Sequence, residues 1–404
     1  IYIDGSEYAE TKISITTGKS HSILWHLPRD SSIDLNVYDK KVPAFVKRSY
    51  DKTIVATYDP TGLSTSAAML ADRSGAIDAT VRDRMVRQKT ICTDSIKDDA
   101  AEHRSIDRHG DDGCAVGRTR RVWGAYAQRR MDYDGSNTTF DFENRVRAGV
   151  IGVDWMLRDS ITVGGLVGYN NERVNADSSR WAPTSDLDAE GAFGGVYGRF
   201  DHGRMFASLS LLGGFVNYDG SRFVNDNYAQ DWRGNYTGEA WRRSDFDSLW
   251  GSIGGSIGGN IGLMRGLSLM PNIGGRFAWE SIDGYREEGG WSYSNAQVDD
   301  RSIGVWEGFA ELAASVSLGR GAALTGRGGY LARQTTGDNT VDVKLLGMSR
   351  SISSAADEPT GFYAGGDVTF DPWKGFSFKA GGQAFFGDDN LDGYEANAKL
   401  GIKF

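Results

Sequence analysis

The last eleven residues, Tyr394-Glu395-Ala396-Asn397-Ala398-Lys399-Leu400-Gly401-Ile402-Lys403-Phe404, decide the fold. Their period is two. Tyr394, Ala396, Ala398, Leu400, Ile402 and Phe404 share one face, and Glu395, Asn397, Lys399 and Lys403 share the other. Strict alternation of this kind belongs to a strand with one apolar side. The preceding segment repeats it, with Phe376, Phe378, Ala380, Ala384 and Phe386 against Ser377, Lys379 and Gln383. So does Leu249, Ile253, Ile257 and Ile261 against Trp250, Ser252, Ser256 and Asn260. A soluble sandwich would need a packed apolar partner for each apolar face. Here the opposite faces are charged or glycine, so a lipid-facing exterior around a polar lumen accounts better for the pattern.

Counting outward from that terminus gives twelve such segments. They lie near 121–130, 143–157, 161–173, 188–200, 204–218, 246–262, 267–281, 302–317, 322–334, 361–371, 376–386 and 394–404. The connections alternate between tight ones, such as Leu157–Ser160 and Asp201–Gly203, and long polar ones, such as 219–245 and 335–360. Twelve antiparallel strands with short turns on one rim and long loops on the other make an outer-membrane barrel, with loops outside and turns in the periplasm. Trp123, Trp155 and Trp373 fall near the tight-turn ends, and Trp279, Tyr169 and Trp306 near the loop ends, where two interfacial girdles belong. The facing of 188–200 and 204–218 stays open.

Composition agrees. The chain has 54 glycines and 7 prolines in 404 residues, with 11% aromatics. Its mean hydropathy is −0.43. No window approaches the ~18 consecutive apolar residues of a spanning helix. The aromatic content excludes disorder, and the glycines keep no collagen period. A net charge of −9 offers nucleic acid no basic surface. The chain starts at Ile1 without a methionine, as expected of a processed or truncated piece.

Ahead of the barrel the texture changes twice. Residues 1–59 alternate with β-branched enrichment, as in Ile13–Thr16 and Ile33–Val37, with turns at Asp4-Gly5, Gly18-Lys19 and Pro28-Arg29-Asp30. This piece is too small to bury much core alone. Residues 60–91 shift to three- and four-residue steps through Met69, Leu70, Ala76, Ile77, Val81 and Met85, which predicts a helix capped by Ser64 or Thr65. Its small residues and its arginines, Arg73, Arg82, Arg84 and Arg87, suit a narrow, polar surround. The candidate lumen acids facing those arginines are Asp154, Glu190, Glu307, Glu311, Asp367 and Glu395, with plain hydration as in any porin as the alternative. Residues 92–120 form a mixed-charge connector. Cys92 and Cys114 lie 22 positions apart within it, suited to one disulfide in an oxidising compartment or to two free thiols.

A small-residue helix, twelve glycine-rich strands opening on Val122-Trp123-Gly124-Ala125-Tyr126, and a terminal strand ending in Phe404 together resemble the translocator half of a monomeric autotransporter, a type V secretion protein. The resemblance covers about 60–404 and leaves 1–59 as the C-terminal edge of a passenger. It implies an all-β fold: a 12-stranded antiparallel transmembrane β-barrel threaded by an N-terminal α-helix. It also implies export and tethering of the passenger at a Gram-negative outer membrane. The implied partners are outer-membrane lipids and lipopolysaccharide, the barrel-assembly machinery, periplasmic chaperones and the passenger polypeptide. The terminal stripe, with Tyr394, Leu400, Ile402 and Phe404, resembles the family's assembly signal.

Three rivals are weighed against this reading. A barrel hydrolase needs a histidine base at the outer rim. Of the five histidines, His21, His26, His103 and His109 precede the barrel and His202 sits in a tight turn. The glycine–serine repetition around Gly251–Gly255 is given no weight as a nucleophile elbow. His103 and His109 with neighbouring aspartates read as a solvated connector rather than a metal site. No enzyme activity, cofactor or metal is expected. A passive porin would share the exterior but leave 60–91 outside the lumen, and a barrel subunit of a surface assembly is the third possibility. Some family members cleave themselves inside the lumen through an asparagine. Between Ile1 and Arg121 the only asparagine is Asn36, so helix and barrel are expected to stay joined.

One prediction belongs to the terminal stripe. Phe404→Ser should lower the amount of folded protein in the outer membrane. Immunoblots of isolated membranes check it, and normal levels would remove any dominant role for this residue.

Overall fold

In space the terminal strand keeps its two faces: Tyr394, Leu400 and Ile402 are exposed, whereas Glu395 and Lys399 are buried. The computed structural model describes residues 2–3, 30–37, 40–49, 52–99, 120–158, 160–177, 185–226, 233, 239–264, 266–289, 294–319, 321–338, 340–353, 359–371, 373, 375–388 and 392–403. Phe404 therefore lies outside the described residues.

Four short strands come first: β1 (Tyr2–Ile3), β2 (Ser31–Val37), β3 (Lys40–Ser49) and β4 (Lys52–Thr57). Helix α1 (Thr61–Asp99) follows. The wall then begins with β5 (Arg120–Tyr133), β6 (Asp141–Arg158), β7 (Ile161–Asp177), β8 (Asp186–His202) and β9 (Met205–Asn225). The next strand is interrupted, as β10 (Glu239–Gly259) and β11 (Ile261–Met264), and pairs with β12 (Leu267–Ile282). After two short rim strands, β13 (Tyr285–Arg286) and β14 (Gln297–Val298), come β15 (Arg301–Gly319) and β16 (Ala322–Gly337). A rim hairpin, β17 (Thr340–Leu345) and β18 (Met348–Ser353), precedes β19 (Thr360–Phe370), β20 (Phe376–Asp388) and β21 (Asp392–Lys403). Counting β10 and β11 as one strand, the wall has twelve, and antiparallel pairing of β21 with β5 closes it.

The outer face is apolar. Ile151, Val167, Leu211, Leu249, Ile273 and Leu400 all project outward and stay exposed. Facing in β8 and β9 is settled: Val196, Leu209, Leu211 and Phe215 point out, and Phe193, Tyr197, Leu212 and Val216 point in. Trp155, Trp373, Trp279, Tyr169 and Trp306 are exposed, as interfacial aromatics should be. Trp123 is not. It is buried in the lumen, and its Nε1 donates to Tyr197 at 2.7 Å and to Asp154 at 3.1 Å. Gly152 makes this possible, because a Cβ there would stand 2.4 Å from the indole ring.

The helix differs from expectation at both ends. Its cap is Asp59 rather than Ser64 or Thr65. The Asp59 carboxylate accepts from the Thr61 amide at 2.9 Å, and Pro60 supplies the first turn. Ser64 and Thr65 instead bond back to the carbonyls of Thr61 and Gly62. At the far end α1 continues to Asp99, past the expected stop at 91. The apolar period fades there, but the sequence from Ala76 to Asp99 holds no glycine or proline to break a helix. Cys92 lies on this extension; its side chain and Cys114 are outside the described residues.

The connections after β12 and β16 were expected to be plain polar loops, yet β13, β14, β17 and β18 form a four-stranded sheet on the long-loop rim. The N-terminal sheet β1–β4 packs on it. Phe45, Ile54, Ala56, Tyr58 and Leu63 share one apolar core with Val298, Val341, Val343, Leu345 and Ile352. Arg350 donates to Asp34 at 2.6 Å and Lys40 to the Ser136 carbonyl at 2.8 Å, which fixes the edges of this lid. The segment too small to make its own core borrows one from the barrel's loops. Within it, Ile33–Val37 falls in β2, and Ile13–Thr16 lies outside the described residues.

Val343, fully buried in that second core, tests the docking. Val343→Asp should leave the heat-modifiable barrel band in mild detergent gels unchanged while trypsin gains access at Lys40, Lys41 and Lys47, because a buried unpaired carboxylate is costly. Unchanged protease resistance would contradict the shared core.

Candidate functional site

The site is the lumen, and the helix fills it. From Leu63 to Met85 almost every residue of α1 is buried. At about 1.5 Å per residue, Thr61–Met85 spans roughly 37 Å, more than the ~25 Å apolar band of such a barrel. Small residues keep this stretch thin. Gly75 is the tightest point: a Cβ there would stand 2.5 Å from Arg129 Nη1 and 3.0 Å from Arg276 Nη1.

The charges are interleaved in both senses. Arg73 is fully buried, bonded to Glu280 at 2.7 Å, to Glu172 at 3.2 Å and to the Tyr218 hydroxyl at 3.1 Å. One residue earlier, Asp72 accepts from Arg333, Tyr133 and Asn144, each at 2.9 Å. Asp78 accepts from Ser210 at 2.6 Å. Near the tight-turn rim, Asp83 takes Lys399 at 2.7 Å together with Lys379, and Arg327 stands 3.6 Å away. Arg84 meets Asp154 at 2.8 Å. Three wall cations reach the helix backbone itself: Arg276 donates to the Ala71 carbonyl at 3.0 Å, Lys399 to that of Thr80 at 2.7 Å, and Arg199 to that of Met85.

The structure distributes the expected pairs differently. Among the described residues only Arg84 with Asp154 joins a predicted helix arginine to a predicted acid in a direct ion pair, while Arg82 feels the charges of Glu311 and Glu307 without bonding to them. Arg82 lies over the Phe309 ring, 3.9 Å from its centroid, and Arg87's side chain is outside the described residues. Glu307, Asp367 and Glu395 point inward but bond to wall cations. Glu307 takes Arg276 and Arg333 at 3.0 and 2.9 Å, Asp367 takes Arg327 at 2.6 Å, and Glu395 takes Arg129 at 2.5 Å. Glu311 accepts from the Tyr363 hydroxyl at 3.1 Å. Glu190 is on the wrong face. It is exposed outside the wall, where the Tyr169 hydroxyl donates to it at 2.6 Å. β8 is longer than the bilayer crossing, so its outward residues near the loop rim meet water and are acidic.

Three signals were missed. Glu172 and Glu280 share inward parity with Asn170 and Ala278, readable from the outward Tyr169 and Trp279 beside them. The helix acids Asp72 and Asp83 meet wall bases, the reverse of helix arginines facing wall acids. Gly254-Gly255-Ser256-Ile257-Gly258 does have nucleophile-elbow spacing, but Ser256 sits mid-strand, facing inward and hydrogen-bonded to Ser208 at 2.8 Å. An elbow requires a strand-to-helix turn.

Arg73→Met should strand Glu172 and Glu280 as unpaired buried acids, a loss of about 3–5 kcal/mol. The folded band on heat-modifiability gels should then disappear at lower temperature, with partial recovery on adding Glu280→Gln. Identical melting would show that this pair does not hold the helix.

A family model, the autotransporter β-domain, matches residues 122–383, more than half of the chain. No curated protein sequence matches it. Among solved structures the chain is similar to the translocator domain of autotransporter NalP from Neisseria meningitidis. The identity is 14%, covering 84% of this chain and 100% of that one, with a TM-score of 0.55, a likeness of fold. It is also similar, at a lower TM-score of 0.48, to the β-domain of the Bordetella autotransporter Brka, with 14% identity over 71% of this chain and 100% of that one. With its closed twelve-stranded wall and helix-filled lumen, the chain belongs to the autotransporter β-domain family and serves as a translocator and anchor in the Gram-negative outer membrane.

Proposed function

We propose that the long-loop rim faces the cell exterior, that residues 1–59 are the end of a passenger exported through the barrel, and that α1 stays in place afterwards as a covalent plug. One observation carries this reading: the chain runs unbroken from the rim lid through Asp59 into a helix buried along the lumen. The family in general has a passenger and uses outer-membrane assembly machinery. For this chain, periplasmic chaperones during biogenesis and lipopolysaccharide around the loop rim complete the set of partners. The chain performs no chemistry of its own in this reading. Helix α1 lacks the asparagine that intraluminal cleavage requires.

Against a porin role stands the filled lumen. The spaces beside the first turns of α1 have volumes of about 40 Å³ each, room for a few waters. Planar-bilayer recordings should show poor conductance, and a steady open channel would favour the porin. Intact mass of the protein from outer membranes should show no new N-terminus between Leu63 and Gln88. Alkylation without reductant should add nothing, since the same reading bridges Cys92 and Cys114; two alkylated thiols would refute the bridge. With both native cysteines replaced, Ser351→Cys on the exposed face of β18 should react with an impermeant maleimide on whole cells, and protection there would reverse the orientation.

A further inference from the structure

We infer that the outer face of β5–β7 binds the phosphorylated headgroup of lipopolysaccharide, with Arg147 at the centre of the site. The inference rests on the proposed orientation, which puts this face in the outer leaflet.

The register assembles the site. Moving up the wall from the lipid-facing Ile151 and Val167, the next outward row is Tyr126, Gly149 and Tyr169. Above it come Gln128, Arg147 and Asn171, and above those Arg130, Arg145 and Arg173. Neighbouring outward side chains on paired strands start about 5 Å apart, where like charges directly opposite destabilise a sheet. Three arginines abreast with a fourth beneath them therefore call for anions.

The protein supplies only part of them. Glu143 meets Arg130 and Arg145, each at 2.7 Å, Asp132 stands 3.5 Å from Arg130, and Asp188 meets Arg173 at 2.5 Å, three acids for four arginines. Arg147 is exposed and has no ion-pair partner among the described residues. It stands at the level where lipid headgroups lie, one row above exposed tyrosines. The concentration is local. On β8–β10 the same two rows carry Glu190, Asn217 and Asp247, then Asp188, Asp219 and Asp245.

A second feature lies directly below Arg147. Gly149 leaves a notch between the Tyr126 and Tyr169 rings, and a Cβ built there meets nothing within 4 Å. An acyl chain descending from a phosphate on Arg147 would pass through this notch onto Ile151 and Val167. Planar guanidiniums pair phosphate bidentately, and a disaccharide with two phosphates suits arginines in two rows. The chemistry thus fits a lipid with phosphate above and chains below, rather than free phosphate.

Native mass spectrometry of the full chain in non-ionic detergent tests the site without reference to orientation. The probes are bis-phosphorylated lipid A, its dephosphorylated form and phosphatidylglycerol. The wild type should retain bis-phosphorylated lipid A, and Arg145→Gln with Arg147→Gln should weaken it roughly tenfold or more. Arg243→Gln, outside the cluster, should not. If the double variant fails to give a heat-modifiable band, Arg147→Gln alone serves, since that side chain supports no ion pair in the wall. Equal binding by wild type and variant, or equal retention of dephosphorylated lipid A, overturns the site. Phosphatidylglycerol binding as tightly, with the same arginine dependence, overturns the assignment to lipopolysaccharide. Should lipid A bind as expected while Ser351→Cys is protected on cells, the orientation is wrong and the assignment to lipopolysaccharide falls with it, leaving a phosphate site that faces the other leaflet.

Discussion

Charge taken out of water must be matched, and that requirement governs this lumen. A helix crossing the barrel carries both signs, so each charge needs a counter-charge at its own height on the wall. Glu172 and Glu280 answer Arg73 on one side, while Arg333 and Tyr133 answer Asp72 on the other. Consecutive helix residues point about 100° apart. A one-residue slip would therefore turn Arg73 toward the arginines and Asp72 away from them. The pairing fixes rotation and depth together, a use of buried ion pairs as a register device rather than as net stabilisation.

Glycine and aromatic placement follow from the same crowding. Gly75 lets two guanidiniums press against the helix, and Gly152 lets an indole turn inward. Residues that look like membrane anchors in sequence become lumen packing where the opposite strand offers a hole. Trp123 is the example: its side of β5 is set by Asp154 and Tyr197, not by the bilayer.

The wall was legible because lipid imposes a strict period of two over each crossing, and Tyr394–Ile402 or Leu249–Ile261 carry it openly. The helix was legible from its shift of period, and its surround from its small residues. What escaped notice depends on pairing across the sequence. No local pattern says that Arg73 meets Glu280 rather than Glu311, since the choice is made by where the helix axis lies. The rim strands escaped for a different reason. Val341, Val343 and Leu345 alternate clearly, but their apolar partner lies almost three hundred residues earlier, in Phe45 and Ile54.

That shared rim core has a temporal meaning. The hairpin carrying Val341, Val343, Leu345 and Ile352 belongs to the barrel, whereas the surface covering it belongs to the segment before the helix. A wall closed ahead of that segment's arrival would hold an uncovered apolar ridge at its mouth, which water disfavours. A polypeptide with matching side chains, as residues 1–59 carry, would be drawn onto it. On the export route proposed above, closure of the mouth is the last contact to form, and its driving force is stored in the wall from the moment the wall closes.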